Sequence, residues 1–264
     1  MIKVFPLAII IAIGSLYAAL KHLNQSVESY FDFVAFMMVI GGTAAVSIVL
    51  FPWEYRKDAF RAVALLFRSE KARYRDTIQQ CLYLVQQGTR GADKVKLERS
   101  SLSSEILQQG LELLTLSFSN ERFESIMRER IFHSAKRQRR VANSLRSLAK
   151  YPPAFGLAGT VLGLVNIMRG LNQGLDAKQT ALEMAIALVA TFYGLLASNL
   201  LISPAGELIL KKAQEEEELA EIALQTLLLL NSGASQLEAQ ETLNSFVPLN
   251  ERGDLQNISL SEVA

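Results

Sequence analysis

The chain has 264 residues, half of them hydrophobic, and a mean hydropathy of +0.20, more apolar than expected of a water-soluble domain of this length. Its net charge of +1 hides an asymmetry: 20 of the 27 Lys and Arg lie between Trp53 and Lys150, while the C-terminal third is acidic. A single cysteine, Cys81, rules out an internal disulfide framework, and two distant histidines, His22 and His133, with no cysteine beside either, argue against a metal site.

A helix crossing about 30 Å of hydrocarbon needs roughly 20 apolar residues. The first candidate span, Val4–Leu20, lies between Lys3 and Lys21. It is longer than a usual signal-peptide core, and its exit, YAALKHL, is a weak cleavage site, so it is expected to be retained. The second span, Phe33–Trp53, carries no charge, and its Gly41-Gly42 pair reads as a helix-packing feature. Residues 54–150 read as helices. RKDAFRAVALLF and YRDTIQQCLYLVQQG have helical apolar spacing, the latter ending at Gly88 before the turn GTRGAD. Leu97–Phe118 places Leu102, Ile106, Leu107, Leu111 and Leu114 on one face, and the basic stretch Phe123–Leu148 leads toward a third span.

That third span, Tyr151–Met168, is uncharged between Lys150 and Arg169; the fourth, Met184–Ile202, is uncharged between Glu183 and Pro204. Glu207–Leu230 reads as a long helix with an acidic run, Glu215–Glu218. This run and the basic run Lys136–Arg140 read as solvated charged faces. From Asn231 onward the polar sequence predicts a loose terminus. Basic residues near the membrane (Arg56, Lys57 and Arg61; Arg140, Arg146 and Lys150; Lys211 and Lys212) put both termini and the large segment in the cytoplasm, in an inner, plasma-type membrane. The expected fold is an all-α integral membrane protein with four transmembrane helices and a large helical cytoplasmic domain between spans two and three. The expected divisions are a transmembrane hairpin (1–53, spans about 4–20 and 33–53), a cytoplasmic helical domain (54–150), a second hairpin (151–204, spans about 151–168 and 184–202), and a cytoplasmic C-terminal helix and tail (205–264).

No phosphate-binding glycine loop or catalytic triad pattern is present, so no enzyme is expected. The juxtamembrane position of the basic residues explains them without nucleic acid. Ionisable residues inside a span normally mark ion transport. None lies mid-span here, so if ions move, the titrating carboxylate comes from another subunit. The spans do carry hydroxyls. Pro153, Gly156, Thr160 and Gly163 share one stripe of span three; Ala187, Thr191, Gly194 and Ser198 form a similar stripe of span four. These small faces either line a polar seam or simply pack helices, each Thr bonding its own backbone at i−4. Pro152 and Pro153 fit the first turn of a helix, and Pro204 marks the end of span four. They are either static boundaries or joints that pass movement onward.

YPPAFGLAGTVLGL followed by ALVATFYGLLASNLLISP resembles the last two spans of the MotA/PomA flagellar stator proteins, within the superfamily that includes TolQ and ExbB. The IGGT of span two and the stretch TRGADKVKLERSSLSSEILQQGLELL are similar as well, and the resemblance extends over nearly the whole chain. It implies that Arg90 and Glu98 engage the rotor protein FliG. It implies that Pro153 and Pro204 couple conformational change at the membrane boundary, and that Thr160 and Thr191 line the ion pathway facing a partner helix. The sequence departs from the family after Glu98, where Arg99 and Ser100–Ser101 stand in place of further acids. The resemblance also implies a homo-oligomer, a pentamer, around two helices of a MotB/PomB-like subunit that carries the ion-binding aspartate and a peptidoglycan-binding domain. The implied transported ion is H⁺, with Na⁺ as the alternative, and no cofactor is implied. The rival readings are a TolQ/ExbB-like energiser of envelope transport and a non-conducting scaffold. The N-terminal hairpin favours the stator class over TolQ and ExbB, which typically have three spans.

Overall fold

A computed structural model describes residues 4–22, 30–67, 77–78, 80–81, 83–85, 104–116, 118–172, 174 and 176–246. The described residues are helical or in turns, with no strand among them. The chain forms two units.

The first unit comprises Met1–Ser69 and Gln138–Lys211. Its helix α1 spans Val4–His22, and α2 spans Phe33–Leu50. Asp32 caps α2, its carboxylate accepting the Ala35 N–H at 2.6 Å. The predicted second span continues to Trp53, but the helix stops at Leu50 and a new one, α3, runs from Trp53 to Leu66. Pro52 explains the break. It has no N–H to continue the ladder, and its ring disfavours helical geometry at the preceding residue; Phe51 is accordingly extended, at φ −122° and ψ 129°.

Helix α4 (Glu105–Leu114) belongs to the second unit; α5 (Asn120–Leu148) and α6 (Tyr151–Asn172) are separated by Ala149 and Lys150. Pro152 and Pro153 occupy the first turn of α6, where no N–H is needed. Helix α7 spans Ala177–Leu196, starting seven residues before the predicted fourth span. A capping box accounts for the early start: Asp176 accepts the Gln179 N–H at 2.7 Å, and the Gln179 side chain accepts the Asp176 N–H. The helix does not stop at Pro204. A π-helical segment, Ala197–Ile202, follows α7 directly and leads into α8, Ser203–Ser232. Within it the Ser203 N–H closes five residues back, on the Ser198 carbonyl. Widening the ladder just before a proline lets the chain carry the missing donor and the ring without breaking the helix.

Among the described residues, four helices are long and apolar enough to cross a membrane. In this unit α6 and α7 form the most intimate pair, and α2 lies against both. Large apolar side chains point outward along these helices: Val34, Ile48 and Val49 on α2, Leu157 and Leu162 on α6, and Leu188 on α7; Val49 is 84 % exposed. Such a surface requires lipid or other protein chains around it. Toward α3, Val141, Ala142 and Ile209 are buried against Ala59, Ala62, Val63 and Leu66.

The second unit comprises Glu70–Arg137 and Lys212–Ala264. Helix α4 spans Glu105–Leu114 and presents Leu107 and Leu111 to a core with Leu84, Phe123, Met127, Leu224, Leu227 and Leu243. Ile106 and Leu114 pack against that core, so the predicted apolar face is the inner one; Leu102 lies outside the described residues. Gly110 admits Leu227: a Cβ at 110 would fall 2.2 Å from its Cδ1. Arg128 reaches Glu124 at 2.8 Å and Glu221 at 3.1 Å, and the hydrogen bond to Glu124, followed by the charge of Glu221, raises its pKa further. These side chains are more than a third exposed, which limits the pairs to about 1 kcal/mol.

The predicted loose terminus is corrected by a further helix, α9, at Gln236–Asn244. Gly233, at φ +70°, ends α8 in the left-handed conformation, with the Ala234 N–H donating to the Leu229 carbonyl at 3.1 Å. Ser235 then caps α9 by accepting the Glu238 N–H at 3.2 Å. The helix returns Ala239 and Leu243 to the core, where both are nearly fully buried. Stop and start signals were present in the run SGASQLE, but two buried apolar residues make only a weak periodic signal.

Cys81 also sits in this core. Burial pushes its thiol up to about 11, partly offset by a hydrogen bond with Thr226. Only the thiolate attacks disulfide reagents. In the folded protein at pH 8, Cys81 should therefore react at least on the order of 100-fold more slowly than after unfolding. Titration with an aromatic disulfide in native and denaturing detergent checks this, and rapid native labelling would disprove it.

Candidate functional site

The two predicted small-residue stripes face each other along the α6–α7 pair. Each glycine on the contact occupies space that a methyl group could not share. A Cβ on Gly156 would fall 2.8 Å from the Ala190 carbonyl oxygen and 2.9 Å from the Thr191 Cα. On Gly163 it would fall 2.4 Å from the Ala187 Cβ, and on Gly194, 2.4 Å from the Pro152 carbonyl oxygen and 3.0 Å from the Pro153 Cα. Gly159, outside the predicted stripe, meets Ala190 in the same way. Missing side chains thus let two backbones approach, the usual device for helix association in lipid.

That approach brings the two threonines together. The hydroxyls of Thr160 and Thr191 lie 2.5 Å apart, both half-buried. Thr160 Oγ1 is also 3.0 Å from the Ala187 carbonyl oxygen and 3.3 Å from that of Gly156, and Thr191 Oγ1 is 3.2 Å from the Gly156 oxygen. Two hydroxyls carry two protons between them, so donors are fewer than acceptors here. If Thr160 donates to Ala187 and Thr191 to Thr160 or Gly156, oxygen lone pairs remain on both hydroxyls. The seam is therefore a cluster of neutral oxygens, suited to a cation or a water chain. The i−4 bond expected of an isolated membrane threonine is present at Thr160, but it is only one of three contacts.

The seam is extended by Ser198 of the predicted stripe and by side chains that periodicity alone did not mark. On α6, Asn166 donates to Glu183 on α7 at 3.1 Å. Glu183 had been placed at the border of span four; the earlier helix start puts it inside α7, eight residues, or about 12 Å, before Thr191. The Asp32 N–H donates to Tyr193 Oη at 3.2 Å, and that hydroxyl in turn donates to the Tyr30 carbonyl. Tyr193 thereby fastens the start of α2 to α7, with Phe36 edge-on to its ring. Ser198, on the π-helical segment, donates to the Ala149 carbonyl at 2.5 Å. A hydroxyl among apolar residues gives no sequence signal that it has a partner 49 or 163 residues away.

Pro153 lies in the first turn of α6 against Gly194. Pro204 is the second residue of α8, immediately beyond the π-helical segment. In α2, Gly42 packs under the Phe155 ring, whereas no packing atom among the described residues lies within 4 Å of the Cβ position at Gly41. Arg90 and Glu98 lie outside the described residues.

The sequence model of the MotA/TolQ/ExbB proton channel family matches residues 98–222. Motility protein A of Treponema phagedenis is 24 % identical over 212 residues, covering 80 % of this chain and 81 % of that one. Two solved structures share the fold. The flagellar MotAB stator complex of Bacillus subtilis superposes with a TM-score of 0.84 at 22 % identity, over 96 % of this chain and 98 % of its counterpart. MotAB of C. jejuni gives 0.85 at 17 %, over 95 % and 97 %.

Proposed function

We propose that this chain is a flagellar motor stator subunit that couples ion flow to rotation, a reading supported by its match to the MotA/TolQ/ExbB family model and its likeness to motility protein A. The observation that carries this reading is the hydroxyl seam between α6 and α7: two membrane helices bring oxygen ligands together at Thr160 and Thr191, and no carboxylate among the described residues bonds either hydroxyl. The missing charge is supplied by a MotB-like partner whose aspartate binds the ion. Support for that partner comes from the MotAB complexes whose fold this chain shares. A TolQ/ExbB-like energiser is less favoured, because the likeness to those complexes extends over 95 % of the chain or more and includes the α1–α2 hairpin.

In this reading the protein is a multi-pass inner-membrane protein with both termini cytoplasmic. Five copies surround two partner helices. Ions pass the Thr160–Thr191 seam, where neutral oxygens replace part of a hydration shell, and the ring steps around the partner. Pro153, packed on Gly194, and Pro204, beside the π-helical segment, are the joints that transmit the step. Arg90 and Glu98 meet FliG through complementary charge. The transported ion is H⁺, with Na⁺ the second choice, because neutral hydroxyl and carbonyl oxygens serve either.

Deleting the gene should leave flagella assembled but cells non-motile, and a plasmid copy should restore swimming. A fluorescent fusion should gather at flagellar bases. Normal swimming after deletion would sink the proposal. Swimming speed against external Na⁺, with and without a protonophore, separates the two ions.

A further inference from the structure

Below the end of α2 lies a cavity of about 230 Å³, lined among others by Phe51, Tyr55, Arg56, Phe60, Val63 and Leu148. It is bounded by the end of α2, by α3 and by the last turns of α5. Its walls are largely apolar, with Ser47, Tyr55, Ser144 and Arg56 the polar residues of the lining. The Nε and Nη1 of Arg56 are buried and have no hydrogen-bond partner among the described residues. A guanidinium presents five donors in a fixed fork and cannot shed its charge, so leaving two of them desolvated and unmet is costly. The carboxylates of the same helix, Glu54 and Asp58, accept neither. The group's recorded contact is with the Trp53 ring, 5.1 Å away, which Lys57 also approaches at 5.1 Å.

The helix carrying Arg56 has the layout of an interfacial helix. Trp53 and Phe60, seven residues apart, share an outward face and are 62 % and 78 % exposed. Lys57 and Arg61 supply positive charge between and beside them, and the apolar helix α2 ends only three residues before α3 begins. Tryptophan with nearby Lys and Arg is the composition of a segment lying at headgroup depth. A second guanidinium, that of Arg140 behind the lining residue Tyr55, is already taken: it donates to Tyr55 Oη and lies over that ring. Arg56 is therefore the free cation of the cavity among the described residues.

We propose that this cavity is a binding site for an anionic phospholipid, with the phosphate paired with the Arg56 guanidinium and part of an acyl chain against Phe51, Val63 and Leu148. The chemistry of the two halves matches. A phosphate accepts charge-assisted N–H bonds from a guanidinium, and basic pockets beside membrane helices favour such headgroups. An apolar cavity of about 150 Å³ accepts a benzene molecule, so 230 Å³ holds several methylenes. A neighbouring protein carboxylate would satisfy Arg56 but leave the apolar volume unfilled. A lipid molecule meets both needs.

The test is native mass spectrometry of the full-length protein in mild detergent with equal amounts of phosphatidylglycerol and phosphatidylcholine. Wild-type chains should retain phosphatidylglycerol preferentially. Arg56→Gln should reduce that preference about tenfold, while Arg61→Gln, which removes the same charge from an exposed position on the same helix, should change it less than about twofold. Ala59→Phe, which fills the cavity and spares the guanidinium, should also lower retention and keeps the test decisive if Arg56→Gln does not fold. Equal retention of the two lipids by wild type would overturn the proposal, as would unchanged preference in Arg56→Gln or unchanged retention in Ala59→Phe. So would complete displacement of the lipid by inorganic phosphate alone, which would reduce the site to an anion pocket.

Discussion

Gly194→Ala is expected to abolish motility and to destabilise the protein by about 3 kcal/mol, the upper end of the usual cost of overpacking. The added methyl would stand 2.4 Å from the Pro152 carbonyl oxygen and 3.0 Å from the Pro153 Cα. Both are backbone atoms in the rigid first turn of α6, so no rotamer change relieves the clash. The helices must separate by roughly an ångström, which also parts the Thr160 and Thr191 hydroxyls. Thermal unfolding of the detergent-solubilised protein should show a midpoint lowered by about 6–12 °C. Gly14→Ala is the control: no atom packed on α1 from elsewhere among the described residues lies within 4 Å of its Cβ position, and alanine favours a helix. A Gly194→Ala protein that unfolds at the wild-type temperature would show that the α6–α7 approach is looser than described.

Replacing both threonines by valine is expected to stop swimming while leaving the fold in place. Valine keeps the branched shape of threonine, and the Gly156 and Ala187 carbonyls still receive their helical N–H bonds, so the stability cost should stay near about 1 kcal/mol. The oxygen cluster disappears, and with it the ligands that would stand in for water around a passing cation. Because the hydroxyls share one hydrogen bond, the single variants should be strongly non-additive: Thr160→Val alone should remove most of the function that the double variant removes. Thr191→Ser, which keeps the oxygen, should swim. Swimming speed and stator-dependent ion current, each normalised to protein level, measure the effect. Full motility in the double valine variant would leave the hydroxyls as packing groups only.

The parts of this architecture that arise from local chemistry could be read in advance. Four uncharged runs, an amphipathic α4 and the small-residue stripes each follow from spacing within one helix. What one helix cannot specify is its partner. The stripe on α6 could have met any small face; that it meets α7 is settled by Gly194 fitting over Pro152 and by a two-threonine contact 31 residues apart in the chain. Similarly, Asp32 reads as a simple cap, and only the fold shows Tyr193 bonded to its N–H. Helix ends were misplaced where turn chemistry overrode hydropathy: Pro52 shortened the second span, and the Asp176 capping box lengthened the fourth. The helix α9 was missed because its burial depends on two side chains, Ala239 and Leu243, rather than on a sustained apolar stripe.

The π-helical segment also acts as a vernier. In an ordinary helix, residues eight apart sit about 80° out of phase, since each residue advances about 100°. Ser198 and Gly206 are eight apart, yet both address the same neighbour: Ser198 bonds the Ala149 carbonyl, and Gly206 lies against Arg146 and the Ala142 carbonyl. Ladder closure five residues back lowers the advance to roughly 80° per residue over Ala197–Ile202, and four such steps recover most of the deficit. The segment thus sets the angular phase at which α8 leaves the membrane-facing stretch. Adding or removing one residue there would turn Gly206 away from Arg146 and bring side chains with a Cβ into a space that only glycine fits.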